Sequence, residues 1–397
     1  MDVRPGYKQT EVGWIPEDWA VDALGSIAPL QRGFDLPMSQ RRDGPFPVVY
    51  SNGIENFHAQ AMVKGPGVVT GRSGTIGRVH YVKGDYWPHN TSLWVTRFNK
   101  NAPRFIYHLY TQIGFDRFAS GSGVPTLNRN DVHAFRIAVP TDMAEQHAIA
   151  EALSDADAMI ESLEQLLTKK RQIKQGAMQE LLTGKRRLLG FTGAWATRRI
   201  AEIAQVKTGP FGSTLHESDY VQMGTPIITV EHLGEFGVTR QNLPLVSDED
   251  RKRLHAYSLD VGDIVFSRVG SVDRNALIRE KESGWLFSGR LLRVRPDSTK
   301  VFSAFLSYQF HTDQFRNSVL VVAVGQTMAS LNTKILNSLT VALPSIAEQI
   351  AIASILSDMD IELTTLDARL TKARQLKQGM MQVLLTGQIR LPLEGPQ

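Results

Sequence analysis

The chain has 397 residues, 42% hydrophobic and 21% charged, which is long enough for two cores and unlike a disordered or collagen-like polymer. It contains no cysteine, which excludes a disulfide scaffold, a thiolate metal site and a cysteine nucleophile, and no run of 18 apolar residues that would mark a membrane span. The net charge of +4 is uneven: residues 1–140 carry +4 and residues 189–343 carry +2, whereas 141–188 and 344–397 carry −1 each. The basic excess is mostly arginine, which suits phosphates and guanine edges, although a surplus of this size is also ordinary scatter. The start, Met1-Asp2-Val3-Arg4-Pro5-Gly6, has no apolar signal core, so a cytoplasmic location is expected.

The first stretch, residues 1–140, holds short β-branched runs bounded by Gly, Asn and Pro. Gly67–Thr70 and Thr91–Val95 are read as strands, and a helix is expected near Pro103 to Phe118. Gly71-Arg72-Ser73-Gly74-Thr75-Ile76-Gly77 lacks the dinucleotide-binding spacing and has no clear helix after it. It is read as a tight turn presenting Arg72 and Ser73. The stretch closes on Gly121…Leu127-Asn128 and Val139-Pro140.

In residues 141–188, Ile149, Leu153, Ala156, Ile160, Leu163 and Leu167 step by 4, 3, 4, 3, 4, the seam of a coiled coil. After Leu167 the apolar positions become Ile173, Ala177 and Leu181, which predicts a phase slip of one residue. Pro140 marks the helix start, and Thr183-Gly184 its stop. Acids come early (Glu145, Glu151, Asp155, Asp157) and bases late (Lys169, Lys170, Arg171, Lys174). Two readings fit this order: complementarity to the helix dipole, or basic turns passing over phosphates.

Residues 189–343 are a diverged copy of the first stretch. Trp195–Gly209 matches Trp19–Gly33 in length, Val265–Gly270 parallels Val69–Gly74, and Gly325…Leu331-Asn332 parallels Gly121…Leu127-Asn128. Strands are expected at Ile227–Val230 and Asp263–Phe266, and a helix near Val301 to Phe315. The final stretch, 344–397, repeats the helix: Glu348–Leu391 aligns with Glu145–Leu188 without a gap, identical at 26 of 44 positions. Ile352, Leu356, Met359, Leu363, Leu366 and Leu370 form its seam, followed by the same expected slip to Leu376, Met380 and Leu384, before the stop at Thr386-Gly387.

The expected fold is α+β: two mixed α/β domains (1–140 and 189–343) separated by two long helices (in 141–188 and 344–397) that form an antiparallel coiled coil, with pseudo-two-fold symmetry. Each helix should be about 38 residues, or roughly 57 Å at 1.5 Å per residue. Catalytic signatures are missing. There is no Walker-type phosphate loop, no His-Glu-x-x-His and no Gly-x-Ser-x-Gly. His89 reads as a surface or capping histidine, and Pro296-Asp297…Lys300 lacks the second carboxylate of a metal nuclease. No catalytic or metal-binding residue is assigned.

The chain resembles the specificity (S) subunit of type I restriction–modification systems along nearly its whole length. The resemblance rests on Gly13-Trp14-Ile15-Pro16-Glu17-Asp18-Trp19, the Gly71–Gly74 turn, and Leu127-Asn128…Val139-Pro140 with Leu331-Asn332…Leu343-Pro344. Most specific are two motifs present twice: Glu-Gln…Ile-Ala…Leu-Ser-Asp-x-Asp and Lys-Gln-Gly-x-Met-Gln-x-Leu-Leu-Thr-Gly.

The resemblance implies two target recognition domains, each reading one half of a split site on double-stranded DNA, and helices that set the spacer and dock two methyltransferase subunits. It also implies two restriction (motor-nuclease) subunits, with S-adenosylmethionine, ATP and Mg2+ used by partners and no cofactor in this chain. Readers spaced roughly one helical turn apart, about 34–36 Å, land on the same DNA face. The residues expected to contact DNA are Arg32, Arg72, Ser73, Asn90, Thr91, Lys207, Ser267, Arg268 and Arg290. Helix pairing and methyltransferase docking are expected of Ile149, Leu153, Ile160, Leu163, Leu167, Ile352, Leu356, Leu363, Leu366 and Leu370. A methylation-only or type II-like specificity subunit, and a coiled-coil scaffold that binds proteins, are the alternatives.

Overall fold

The computed structural model describes residues 5–120, 125–210, 214–234, 237–323 and 330–392. Met1–Arg4 and the two paired glycines Gly121 and Gly325 lie outside the described residues. The chain divides into two compact units, Met1–Glu164 with Ala368–Gln397, and Gln165–Asp367. The long helices, Met143–Leu181 and Ile346–Leu384, have 39 residues each, and both units take a part of each helix.

The first unit is built on a four-stranded antiparallel sheet in the order Leu30–Arg32, Ser92–Val95, Gly67–Gly71, Val79–Val82. All of Gly67–Gly71 is buried, and its one polar side chain, Thr70, is satisfied by donating to the Arg78 carbonyl at 2.9 Å. A second sheet joins Gly53–His58, Phe46–Tyr50 and Trp87–Pro88, the last pair parallel. The second unit repeats the four-stranded order with Ala204–Thr208, Leu291–Pro296, Ile264–Ser267 and Asn275–Leu277. It repeats the parallel pair as well, Thr225–Ile228 with Leu286–Phe287. The rest of the second sheet differs, with Leu245–Val246 and Tyr220–Val221 in place of one hairpin. The expected strands stand within a residue or two of their expected places.

The Leu-Asn motif of each unit is a buried anchor followed by a helix cap. Leu127 and Leu331 are buried in the two cores. The Asn128 side chain accepts from Asn130 N–H, and that of Asn332 from Ile335 N–H, opening the short helices Arg129–Ala134 and Thr333–Ser338. The head helix of the first unit spans Pro103–Ile113, with a 3-10 turn over Phe115–Phe118. In the second unit the expected single helix is two, Ser303–Phe310 and Asp313–Ala323. The break falls at His311-Thr312, where the Thr312 hydroxyl accepts from Phe315 N–H and draws the chain into a new start.

Within each unit the two long helices run antiparallel. Glu164 pairs with Arg374 and Asp157 with Lys377 in the first; Lys170 pairs with Glu362 and Lys174 with Asp360 in the second. The apolar seam is buried or half-buried at every expected position: Ile149, Leu153, Ile160, Leu163 and Leu167, and Ile352, Leu356, Leu363, Leu366 and Leu370. Ile149 and Leu153 pack into the first head's core with Leu384 and Leu385 from the end of the other helix, and Ile352 and Leu356 do the same with Leu181 and Leu182.

The expected phase slip does not occur. Ile173 is 46% and Leu376 62% exposed. The heptad continues instead through Lys170 and Lys174 in one helix and Ala373 and Lys377 in the other. Lysine fits there because its stem packs while its ammonium meets Asp360 or Asp157 across the seam.

The remaining repeat residues fasten each helix start to the other helix's end. Arg390 holds Glu145 at 2.9 and 2.8 Å, and Arg187 holds Glu348 at 2.6 and 2.7 Å, both as two-pronged pairs. Gln146 accepts from Ala102 N–H at 2.8 Å and donates to the Pro140 carbonyl at 2.9 Å; Gln349 does the same with Phe302 and Pro344. Each helix ends in a six-residue return bond, Arg186 N–H to Glu180 O and Ile389 N–H to Val383 O, both 3.1 Å. That turn puts Gly184 and Gly387 at φ 70°, and a side chain on Gly387 would stand 2.5 Å from Pro16.

Arg390→Ala would leave Glu145, which is 2% exposed, with the Trp19 indole as its one remaining side-chain donor among the described residues. Stability of the first unit should fall by about 3 kcal/mol, the low end for breaking a buried pair, as read by urea denaturation. The further change Glu145→Gln should restore part of it; no loss in the single variant would show that the pair is not structural.

His108 in the same unit is wholly buried, with Nε2 3.2 Å from Ser154 Oγ and Nδ1 3.9 Å from Asp157. Burial pushes its pKa from 6.5 down to about 4, against the pull of Asp157 and with Lys377 and Arg104 adding to the depression. The folded ring stays neutral where the unfolded one protonates, so stability should drop as pH falls from about 6.5 toward about 4. His108→Gln should flatten that part of a urea-midpoint profile; an unchanged slope would assign it to other groups.

Candidate nucleic-acid interface

The antiparallel order brings the ends of four sequence-distant segments together at one end of each four-stranded sheet. In the first unit these are Arg32, Asn90–Thr91, Arg72–Ser73 and Arg78, because Arg32 pairs with Leu93, Ser92 with Gly71, and Thr70 with Val79. Arg72 is fixed through its backbone, its N–H donating to Thr91 O at 2.9 Å and its carbonyl accepting from Leu127 N–H at 2.8 Å. Ser73 bridges to Thr126. Gly71 must be glycine, since a Cβ there would stand 1.8 Å from the Thr75 carbonyl oxygen. Arg32 pairs with Asp35 at 3.2 Å, and Asn90 donates to the same carboxylate, so the two form one exposed cluster.

In the second unit the corresponding end gathers Thr208, Arg290, Arg268 and Arg274. Arg268 N–H donates to Arg290 O at 2.9 Å, and its carbonyl accepts from Leu331 N–H at 2.8 Å, the same lattice as at Arg72. Arg290 is exposed.

Two expected contacts do not survive. Ser267 is completely buried, its hydroxyl donating to Val269 O at 3.0 Å, because it occupies the last interior position of its strand, where the first unit has Gly71. Lys207 donates to the Ala256 carbonyl at 2.8 Å and lies 4.6 Å over the Tyr257 ring, so its ammonium is spent within the unit. Burial, with Arg293 and Arg295 nearby, lowers its pKa.

Three features of this end escaped the sequence reading. Arg78 and Arg274 are exposed at equivalent places, and their carbonyls accept from Thr70 Oγ1 and Ser267 N–H; the Arg274 guanidinium also donates to the Leu233 carbonyl, one of its five donors. Their common offset from Arg72 and Arg268 was the available signal. The hairpin tip Ser51-Asn52 also reaches this end: a side chain on Gly71 would stand 3.2 Å from Ser51 Cβ. Beside it, exposed Asn52 donates to Glu55 at 2.5 Å. Guanidinium, amide and carboxylate groups displayed on turns are the set that reads base edges in the major groove. Among the described residues no group of three or more His, Asp or Glu could hold a metal ion, and no helix is long and apolar enough to cross a membrane.

Comparison with known proteins fits this geometry. The family described as type I restriction modification DNA specificity domain matches residues 16–175 and again 193–374. The chain belongs to that family. It is 21% identical over 284 residues to the type I restriction enzyme MjaVIII specificity subunit of Methanocaldococcus jannaschii, covering 68% of this chain and 66%, just under two thirds, of that relative's length. It is 24% identical over 433 residues to the StySPI specificity subunit of Salmonella potsdam, covering 95% of this chain and 90% of the relative. The fold is shared with the crystal structure of a type I restriction–modification S subunit from M. genitalium, at a TM-score of 0.68 and 15% identity over 96% of this chain and 99% of that one. Each of the two matched ranges contains one four-stranded frame.

Arg72→Ala and Arg290→Ala should each weaken binding of a cognate duplex about tenfold, within the range for one base-edge contact. Lys207→Gln should leave it unchanged. Fluorescence anisotropy of the assembled complex reads both, and equal effects at all three positions would refute the assignment of the sheet ends.

Proposed function

We propose that this chain is the DNA-specificity subunit of a type I restriction–modification complex, each unit reading one half of a split target. The observation that carries this is the same sheet end built twice and dressed differently: Arg32, Asn90 and Arg72 on one, Arg268, Arg274 and Arg290 on the other. Two unlike reading surfaces on one frame call for two unlike recognition blocks. Arginine and backbone contacts to phosphate supply affinity, and side chains at the turns supply sequence choice.

The chain itself performs no chemistry on this reading. Methyltransferase subunits, two by the internal duplication, dock on the paired helices and use S-adenosylmethionine; restriction subunits, also two, bring ATP and Mg2+. The complex works in the cytoplasm. Exposed Met159, Leu166, Ile173, Ile361 and Leu376 supply apolar area on the helices for such docking. The distance between the blocks follows from helix length.

The test is co-expression with the methyltransferase encoded beside it, followed by genome-wide mapping of modified adenines. The expected result is a motif of two unlike blocks with a fixed gap. A continuous or palindromic motif would contradict the two-headed reading, and an assembled complex with cofactor that modifies nothing would favour a scaffold.

A further inference from the structure

The two units differ in what fills the cleft between the head helix and the long helices. In the first unit Arg104 lies 4.8 Å over the Tyr81 ring and donates to Ser154 Oγ at 3.1 Å. Tyr107 packs edge-on against Tyr81 at 6.0 Å and against His108 at 4.8 Å. The hollow left beside them, about 580 Å³, is lined by Glu151 and Asp155 as well as Arg104.

Strand register and the shared Gln146 and Gln349 bonds place Leu277, Ala304, Ser307 and Tyr308 where the first unit has Tyr81, Arg104, Tyr107 and His108. Three large side chains have become Leu, Ala and Ser. The second unit consequently holds an open groove of about 770 Å³ lined by all four of these residues. That volume lies within the range of small-ligand sites.

The groove is polar in a specific way. Asn275 lines it, is 2% exposed, and its side-chain oxygen has no hydrogen-bond partner. The amide nitrogen donates to the Asp273 carbonyl at 3.4 Å, so the buried oxygen calls for a donor from outside the chain. Arg171, Lys185 and Arg279 stand exposed around the groove, and none makes an ion pair among the described residues. Of the two carboxylates there, Asp360 is already held by Lys174 and by the Tyr308 hydroxyl, which leaves Asp313 against three cations.

We propose that this groove is a phosphate-binding site of nucleotide size, with the exposed cations spread along it, Arg171, Lys185 and Arg279, attracting the phosphate and Asn275 accepting from the polar edge of what carries it. A free nucleotide and the DNA backbone share that chemistry. The assembled complex is titrated with ATP, AMP and pyrophosphate by calorimetry, and with a 20-base-pair duplex of unrelated sequence by anisotropy at several salt concentrations.

Two variants report on the site. Ala304→Met fills the place of the side chain that narrows the sister cleft without adding charge, and Arg279→Ala removes one exposed cation without touching the core. For a free nucleotide, binding should fall at least tenfold in Ala304→Met and about tenfold in Arg279→Ala, with duplex binding unchanged. For DNA phosphate, the small ligands should fail, and Arg279→Ala should lower the salt slope of duplex binding by about 0.9. If Ala304→Met unfolds, Arg279→Ala decides alone. No small-ligand binding together with unchanged duplex binding in the variants overturns the proposal.

Discussion

The structure depends on one electrostatic constraint: the repeated helix is complementary to itself only when reversed. Its acids come first and its bases last. Paired in parallel and in register, the copies would set Asp157 against Asp360, Lys174 against Lys377, Glu145 against Glu348 and Arg187 against Arg390. Every one of these is a like-charge contact, and four together would cost several kcal/mol. Reversed, the same eight residues make four opposite pairs, two in each unit. Such pairs add little stability over apolar packing, but leaving any one unmatched is expensive, so they fix direction and register more than they strengthen the seam. Each unit is thereby assembled from one head, the start of one helix and the end of the other.

This constraint also accounts for the charge order that the sequence left open between a helix dipole and a phosphate track. Dipole complementarity is satisfied as a by-product, because an acidic start and a basic end suit both the dipole and the reversed neighbour. The lysines at 170 and 174 face carboxylates of the partner helix.

Much of the fold was legible because it is repeated. The seam up to Leu167 and Leu370, the Leu-Asn motif, the glycine stops and the strands at Gly67 and Asp263 all recur in the second half, at offsets of 203, 204, 203 and 196 residues, and each has a local cause visible in residue type. What was not legible came from residues with two natures. Lys174 and Lys377 look like surface residues, and only the carboxylate supplied by the other helix lets them occupy seam positions, so the apolar pattern seemed to slip to Ile173 and Leu376. Ser267 looked like a polar turn residue but aligns with the buried Gly71. Lys207 looked like a phosphate contact, but Tyr257 and the Ala256 carbonyl, some fifty residues away, capture it. The hairpin tip at Asn52 reaches the interface through a second sheet whose equivalent differs in the other unit, so no repeat announced it.

The division between what recurs and what varies follows from what each part does. Strands buried on both faces tolerate little change, because a lost methylene there leaves a void. The turns at the sheet end meet solvent, and substitution there is nearly neutral for stability, so the reading groups are free to differ between units. On the proposed reading, three arginines per sheet end would neutralise only a few phosphates and give each head weak, salt-sensitive binding of its own. Joining two weak readers in one chain makes the second contact intramolecular, which multiplies affinity for a target carrying both blocks at the right gap and leaves either block alone bound poorly. A rigid connection is what that arithmetic requires. The reversed ion pairs, by fixing helix register to a single residue within each unit, hold each head to its own pair of helix segments.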